Sequence, residues 1–380
     1  MQLVAYGAQD IYLTGNPQIT FFKVVYRRHT NFSMESIAQT WSGGSTGAAT
    51  ATGKCTATVS RNGDLIHRMY LQVTGTGANN DLNPGSALIN SVELEIGGQK
   101  IDKHTGEWME TWAELTQPNP TGRIGDLDDT PAAATGTQFQ RTTGMGGAAN
   151  AHTDPITIFV PLQFWFCRNV GLALPLIALQ YHEVKVILDW TAIRSFSNTT
   201  GVTKNDLWVD YIYLDTDERR RFAQVSHEYL IEQVQEQSWS ATNQTLNFNH
   251  PVKELIWTNF TVTADAFTPA AMLTTSSYQL KLNGHDRFAE RNLKYFTRVQ
   301  VLQHHSGCGG LLASTSPGNG AFNDGIAVYS FALKPEEHQP SGTCNFSRID
   351  NAVLEGSGTP DATNVYAVNY NVLRIMSGMG

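Results

Sequence analysis

Short apolar stretches in which every second residue is hydrophobic are the feature that most constrains the fold of this chain. In "SVELEIGG" the apolar residues Val92, Leu94 and Ile96 alternate with Glu93 and Glu95. Because successive side chains of a β-strand point to opposite faces of a sheet, this period of two predicts a strand with one buried face. The same period predicts strand faces in three further stretches: Phe22, Val24 and Tyr26 in "FFKVVYRRH"; Ile156, Ile158, Val160, Leu162, Phe164 and Phe166 in "ITIFVPLQFWFC", with Pro161 at an edge or a bend; and Val184, Val186, Leu188 and Trp190 in "YHEVKVILDW".

The composition favours an all-β protein of about two domains. The chain has 380 residues, of which 33 are Gly, and its short apolar runs are separated by turns rich in Gly, Asn and Pro. Charged residues make up 16% of the chain, below the usual ~25%. Charge is therefore not the main property that keeps the surface in solution.

Three stretches carry the spacing or end signals of short helices. "TGEWMETWAELT" places Trp108, Met109, Trp112 and Leu115 on one helical face, with Thr105 as the N-cap. Acidic residues followed by arginines in "DTDERRRFAQ" suit the helix dipole. In that second stretch we expect Thr216 to be the cap, and in "NLKYFTRVQVL" we expect the apolar face to consist of Leu293, Phe296 and Val299.

The two halves of the chain repeat one order of elements. Met69-Tyr70-Leu71 is followed by "VELEIGGQKID" and the Trp108 helix, while Leu255-Ile256-Trp257 is followed at similar spacing by "YQLKLNGHDRF" and the Leu293 helix. Each half then has a long loop of small residues and returns with an aromatic strand, "FVPLQFWF" or "IAVYSFALK". This pattern predicts two copies of one β-topology. We expect a first domain over residues 1–214, a linker helix over 215–224 and a second domain over 225–380.

Several classes of protein are excluded by simple features. No signal peptide or membrane helix is predicted, because polar residues interrupt every apolar run, so a soluble protein of a cytosol-like compartment is expected. The formal net charge of −8 disfavours direct binding to nucleic acid. The sequence has no CxxC pair, and without a secretory signal its cysteines are expected to be free thiols: Cys55, Cys167, Cys308 and Cys344.

No motif in the chain forms a catalytic or metal-binding pattern. "STGAATATGKCT" fails as a phosphate loop, because Ala48 stands where Gly is required and Cys55 where Ser or Thr is required. His304 and His305 are adjacent, so they project to different sides and are expected to be polar residues at a loop base rather than metal ligands. Glu336-Glu337 beside Pro335 predicts a turn. We therefore expect no enzymatic activity, no catalytic or metal-binding residue and no cofactor, and the triple arginine 219–221 is interpreted as the solvated end of a helix.

Five stretches resemble one viral family. They are "MQLVAYGAQDIYLTGNPQITFFKVVYRRHTNF", "HRMYLQV", "VELEIGGQKIDKHTGEWMETWAELT", "YLDTDERRRFAQVSHEYLIEQVQ" and "NYNVLRIMSGMG". Together they are similar to the major capsid proteins of nucleocytoplasmic large DNA viruses of the phycodnavirus and mimivirus groups. The resemblance runs along nearly the whole chain.

The resemblance implies two tandem eight-stranded antiparallel jelly rolls with a few short helices. It further implies homotrimers that form pseudo-hexagonal capsomers and tile an icosahedral virion shell assembled in the host cytoplasm. The implied partners are other copies of the chain, minor capsid and penton proteins and, indirectly, an inner membrane. Residues 1–20 are expected at the inner side of the shell, and the long loops 42–54, 117–155 and 306–325 on the outside or in trimer seams.

Two other functions remain open at this point. A penton or minor capsid protein is one alternative, although a penton normally needs a single jelly roll. A carbohydrate-binding or enzymatic jelly roll is the other, and it would need a metal cluster or an exposed aromatic platform.

Overall fold

The computed structural model describes most of the chain. The described residues are 7–43, 52–76, 81–118, 137–147, 149–150, 155–191, 201–239, 242–262, 267–307, 309–312, 321–357 and 362–376. Most of the long loops 42–54 and 117–155 lies outside these ranges, and so do Cys308 and residues 313–320 of the third long loop, 306–325. The prediction for the placement of those loops is therefore not addressed by the structure.

Two series of eight principal strands follow each other along the chain. The first series is β1 (Phe32–Gln39), β2 (Thr52–Thr58), β3 (Leu65–Thr76), β4 (Ile89–Ile96), β5 (Gln99–Thr105), β6 (Pro155–Pro161), β7 (Val184–Thr191) and β8 (Gly201–Leu214). The second series is β9 (His227–Ser238), β10 (Asn243–Thr245), β11 (Pro251–Thr258), β12 (Ser277–Leu282), β13 (His285–Asp286), β14 (Ile326–Ser330), β15 (Ala352–Ser357) and β16 (Asn364–Ile375).

The sheet order confirms the repeat predicted from the sequence. The first series forms antiparallel sheets in the orders β1-β8-β3-β6 and β2-β7-β4-β5. The second forms β9-β16-β11-β14 and β10-β15-β12-β13. Adding eight to every strand number converts one half into the other. Each pair of sheets is a jelly roll, so the described part of the chain is a double jelly roll.

Shorter elements complete the fold. The short strands are Trp41–Ser42, Asp81–Leu82, Ala149–Asn150, Leu174–Pro175, Phe260–Val262, Phe267–Pro269, Arg291–Asn292, Leu311–Leu312, Ala321–Phe322 and Cys344–Asn345. The helices are Asp10–Thr14, Pro84–Ala87, Gly106–Thr116, Gln138–Thr143, Trp165–Arg168, Val170–Leu172, Thr216–Gln224, Tyr295–Val299, Gln300–His304 and Phe346–Arg348. None of the helices in the described part of the chain is both long and apolar enough to span a bilayer.

The two equivalent hairpins use turns that their sequences specify. Gly97 and Gly98 join β4 to β5 with φ of 60° and 82°, and Asn283 and Gly284 join β12 to β13 with φ of 50° and 78°. Two consecutive positive φ values define the type I′ turn, whose twist matches that of the flanking strands. Gly and Asn are the residues that adopt this conformation at least cost.

The helix that we call the Trp helix (Gly106–Thr116) confirms its prediction in detail. The Thr105 side chain caps it by accepting a hydrogen bond from the backbone N–H of Trp108, at 3.3 Å. Its predicted apolar residues Trp108, Met109, Trp112 and Leu115 are all buried.

The prediction of a first strand in "FFKVVYRRH" is wrong. Residues 21–23 form a turn and a bend, residues 24–31 have no regular secondary structure and pair with no described strand, and the first strand begins at Phe32. Backbone N–H and C=O groups form a strand only when a neighbour accepts and donates their hydrogen bonds. The alternating pattern is present, but within the described part of the chain its partner strand is missing.

Three smaller predictions also need correction. The linker helix (Thr216–Gln224) is capped by Asp215, one residue earlier than expected. The strand containing Ile158 and Val160 ends at Pro161, and a helix turn, Trp165–Arg168, follows it, although Leu162, Phe164 and Phe166 remain buried. Val299 is 40% exposed because residues 295–299 form a π-helical turn, whose spacing differs from that of an α-helix, and Val301 takes the buried position instead.

Candidate functional site at the seam between the sandwiches

The two jelly rolls share one hydrophobic core across the boundary that we call the seam. Trp108 of the Trp helix packs on Tyr366 of β16, with ring centroids 5.2 Å apart, and both side chains are fully buried. Ile256, Val328 and Val368 of the second roll belong to the same cluster of buried residues as the core of the first. The two rolls are therefore packed as one unit and not as two independent bodies.

The C-terminal end of the Trp helix is held by a loop of the second roll. The backbone N–H of Gly307 donates to the carbonyl of Leu115 at 2.7 Å, and the hydroxyl of Ser306 donates to the carbonyl of Thr116 at 2.9 Å. These carbonyls have no partner inside the helix, so the loop satisfies them. A Cβ at position 307 would lie 2.5 Å from the Leu115 oxygen, so only Gly fits this approach.

A second set of contacts joins β5 to β9. The side-chain amide of Gln233 donates to the carbonyl of Ile101 at 2.5 Å, and the backbone N–H of Val234 donates to the Asp102 carboxylate at 3.3 Å. Both strands lie at an edge of their sheets. The seam thus covers two edges that would otherwise expose unpaired backbone groups.

The principal charged group at the seam is Glu232 of β9, which is buried. Its carboxylate lies 2.8 Å from the ammonium group of Lys253, 3.1 Å from the guanidinium of Arg168 and 3.4 Å from the His338 ring. Arg168 belongs to the first roll, so this ion pair crosses the seam. Lys253 is buried as well and also donates to the carbonyl of Pro335 at 2.7 Å.

Electrostatics keeps the Glu232 carboxylate charged. Burial alone would raise the pKa of Glu232, but Arg168, His338 and Lys253 outweigh burial and hold the pKa at about 2. Burial lowers the pKa of Lys253, and Glu232 opposes that effect. Removing one member of a buried ion pair leaves the other charge uncompensated. Separation of the two rolls would take Arg168 away from Glu232, so this ion pair disfavours separation.

His305 forms a second buried ionic group, which braces the loop at the Trp helix. Its ring nitrogens lie 3.0 Å from the carboxylates of Glu254 and Glu336, and its side chain has no exposed surface. Burial alone would lower the pKa of His305, but the two carboxylates outweigh it and raise the pKa to about 9. The interpretation of His305 as a loop-base residue missed this role, because Glu254 lies far away in the sequence.

Glu110, in the Trp helix, is buried, and no cation of the described residues forms an ion pair with it. Its carboxylate accepts hydrogen bonds from the hydroxyl of Ser86 at 2.8 Å and from the backbone N–H groups of Gly146 and Gly147 at 2.9 Å. Burial and the neighbouring Glu114 raise the pKa of Glu110 to about 7. The folded protein consequently takes up a proton here at a pH where the unfolded chain does not.

Glu110→Gln should stabilise the protein at pH 8 and have little effect at pH 5. The raised pKa means that the stability contributed by the protonated form is present below pH 4.5 and is lost as the pH rises through about 7. Glutamine keeps the shape without the buried charge, so we expect a gain of about 1–3 kcal/mol at pH 8. Urea unfolding at both pH values measures it.

Glu95→Gln, on the exposed side of β4, is the matched control and should shift stability equally at both pH values. An identical effect of Glu110→Gln at pH 5 and pH 8 would contradict the assignment of a buried, uncompensated carboxylate.

The other residues considered in the sequence do not converge. Within the described residues, no group of three or more His, Cys, Asp or Glu is arranged to hold a metal ion. Cys55, Cys167 and Cys344 are free thiols. Arg219 of the linker helix does not end in solvent alone but pairs with the Asp64 carboxylate at 2.7 Å.

A second candidate surface is the segment that we call the arm, residues 7–31. Its large apolar side chains are exposed: Ile11, Tyr12, Leu13, Ile19, Phe21, Phe22, Val24, Val25 and Tyr26. Many large exposed apolar side chains in one segment point to a site of association.

Two family models divide the chain between them. The model described as "Major capsid protein N-terminus" matches residues 20–215, and the model described as "Large eukaryotic DNA virus major capsid protein" matches residues 218–380. The break between them falls at the start of the linker helix.

Individual relatives match over the full length. The chain is 54% identical to a major capsid protein of Pyramimonas orientalis virus, covering 100% of this chain and 97% of the relative. It is 42% identical to a major capsid protein of Paramecium bursaria Chlorella virus 1, with the same coverage of 100% and 97%.

Solved structures agree with this result. PBCV-1 VP54 superposes with a TM-score of 0.75 at 36% identity, covering 95% of this chain and 98% of that one. The Faustovirus major capsid protein, at 13% identity and a TM-score of 0.64, shares the fold.

Proposed function

This chain belongs to the large eukaryotic DNA virus major capsid protein family, and from that membership we propose that three copies associate into a pseudo-hexagonal capsomer that tiles an icosahedral shell. The chain is a structural protein of the virion capsid. We propose two assembly steps: single chains associate into trimers, and trimers pack into the shell.

The observation that supports the trimer is the exact repetition of sheet order in the two rolls. Three chains with two equivalent rolls each present six similar units around a threefold axis, which fits a hexagonal lattice. Such a tile needs its two rolls in one fixed orientation, and the shared core and the Arg168–Glu232 ion pair supply that rigidity. Contacts between neighbouring capsomers can each be weak, because many act together on a shell.

The domain division follows from the same repeat. We propose that residues 1–214 comprise the N-terminal segment and the first roll, that 215–224 is the linker helix and that 225–380 is the second roll. We propose no catalytic residue, no metal ligand and no cofactor in either roll. The partners are other copies of the chain, minor capsid and penton proteins and, indirectly, a membrane, without direct contact to nucleic acid and with assembly in the host cytoplasm.

The mass of the purified protein in native mass spectrometry tests the capsomer. The proposal expects a dominant species of three times the 41.8 kDa chain mass. Pentamers would instead favour a penton-type virion protein, and a monomer at micromolar concentration would contradict the capsomer.

A further inference from the structure

We propose that residues 21–29 of the arm form a strand that adds to the open edge of β1 in a second copy of the chain. The inference rests on the proposed capsomer, and it identifies one contact that joins neighbouring chains within it. The occupant of the edge is thus this same protein, not a different partner.

The arm has the properties of a strand without a sheet. Phe22 is 97% exposed and Tyr26 is 85% exposed, although both are large and apolar. Residues 24–31 have no regular secondary structure and pair with no strand among the described residues, and residues 21–23 form a turn and a bend before them. Alternating apolar residues in an extended segment are the pattern recognised when a strand is added to an existing sheet.

The edge of β1 has the complementary property. β1 pairs with β8 on one side and is the last strand of its sheet on the other. Residues 32–36 are exposed on both faces, and among them Phe32 and Met34 are apolar. An eight-residue edge strand with exposed apolar side chains is a ready template for another strand unless something covers it.

The two faces of the arm match the two faces of β1. Period two places Phe22, Val24 and Tyr26 on one side of the arm, as it places Phe32 and Met34 on one side of β1. Adding the arm with these sides together joins apolar to apolar across the strands, and cross-strand pairs of this kind stabilise a sheet.

The opposite faces match in charge. Lys23 and Arg27 lie on the second side of the arm, and Glu35 lies on the second side of β1. β1 itself has no basic residue.

The charge of the whole chain points the same way. Residues 1–31 carry three cations, Lys23, Arg27 and Arg28, and one acid, Asp10, a net charge of +2. Since the chain carries −8, residues 32–380 carry −10. A basic arm on an acidic body favours contact with the body of another copy.

Closed threefold symmetry requires contacts in which one chain supplies a patch and the next accepts a different one. Arm donation to β1 satisfies this requirement. It also leaves every arm paired and every β1 edge covered once the ring is closed.

Crosslinking in mixed-isotope assemblies tests the proposal. A photo-crosslinking amino acid at position 22 is placed in chains that are ¹⁵N-labelled, and these are mixed with unlabelled chains before assembly. The expected product joins labelled arm peptides to unlabelled peptides containing residues 32–39. Crosslinks confined to one chain, or to positions elsewhere than β1, would overturn the inference.

A variant pair provides the second measurement. Phe22→Asp with Val24→Asp should raise the concentration at which trimers dissociate at least tenfold while leaving the thermal unfolding of the single chain unchanged, because both side chains are exposed in it. Ile11→Asp with Leu13→Asp, equally exposed but outside residues 21–29, is the control and should leave dissociation unchanged. If Phe22→Asp with Val24→Asp leaves trimer dissociation unchanged, arm donation is overturned but the proposed capsomer is not. If the wild-type chain never forms trimers, the proposed capsomer itself is overturned.

Discussion

Glu232→Gln is expected to lower the free energy of unfolding by about 3–5 kcal/mol at pH 7, the cost of leaving buried cations without their anion. Lys253 is buried and Arg168 is mostly so, and both lose the carboxylate that pairs with them, Lys253 within the second roll and Arg168 across the seam. Urea unfolding followed by tryptophan fluorescence measures the loss. Adding Lys253→Met to Glu232→Gln should recover part of it, because a buried cation is then replaced by an apolar side chain.

The control lies on the same strand. Glu228 pairs with Arg374, but the two side chains are 60% and 59% exposed, so Glu228→Gln should cost less than about 0.5 kcal/mol. The effect of Glu232→Gln should also depend on pH. Since the pKa of Glu232 is lowered to about 2, its contribution is present above pH 4.5 and is lost as the pH falls through 2. Equal losses for both variants would show that the cluster does not join the rolls.

Trp108→Ala should destabilise the protein by about 3–5 kcal/mol, the cost of a large cavity in a packed core. Trp108 contacts Trp112 of its own helix and Tyr366 of the second roll, at centroid distances of 5.4 and 5.2 Å. The cavity therefore opens on the seam, and we expect the two rolls to lose cooperativity. Scanning calorimetry would show this as a broadened or split unfolding transition.

Trp208→Ala is the matched control for that experiment. Trp208 lies half-buried on β8, stacked on Tyr70 and donating to the Gln72 side chain at 2.8 Å, away from the seam. Its loss should lower stability by a smaller amount and leave a single transition. A single sharp transition for Trp108→Ala, with no greater loss than for Trp208→Ala, would contradict the shared core.

Local patterns in the sequence were sufficient to predict most of the fold. Two of these local signals depend on neighbouring residues alone: the alternation of Val92, Leu94 and Ile96, and the "GG" and "NG" turns. The structure confirms the strands and the hairpins that they predict. The repeat was visible because each half places such local signals in the same order. Resemblance to known capsid proteins supplied what these patterns cannot, namely the name of the fold and the assembly.

What could not be predicted depends on residues that are distant in the sequence. His305 lies beside Glu254 and Glu336 only after β11 and the loop before β15 are in place, so no spacing rule identifies it. Glu232 and Arg168 belong to different rolls and meet only at the seam. The alternation in "FFKVVYRRH" is a local pattern, but a strand also needs a partner, and no described strand of the single chain provides one.

Negative-stain images of the purified trimer test the central claim most directly. A tandem pair of equivalent jelly rolls in each of three chains predicts class averages with six lobes of similar size arranged with threefold symmetry. Averages with three lobes, or with fivefold symmetry, would contradict it.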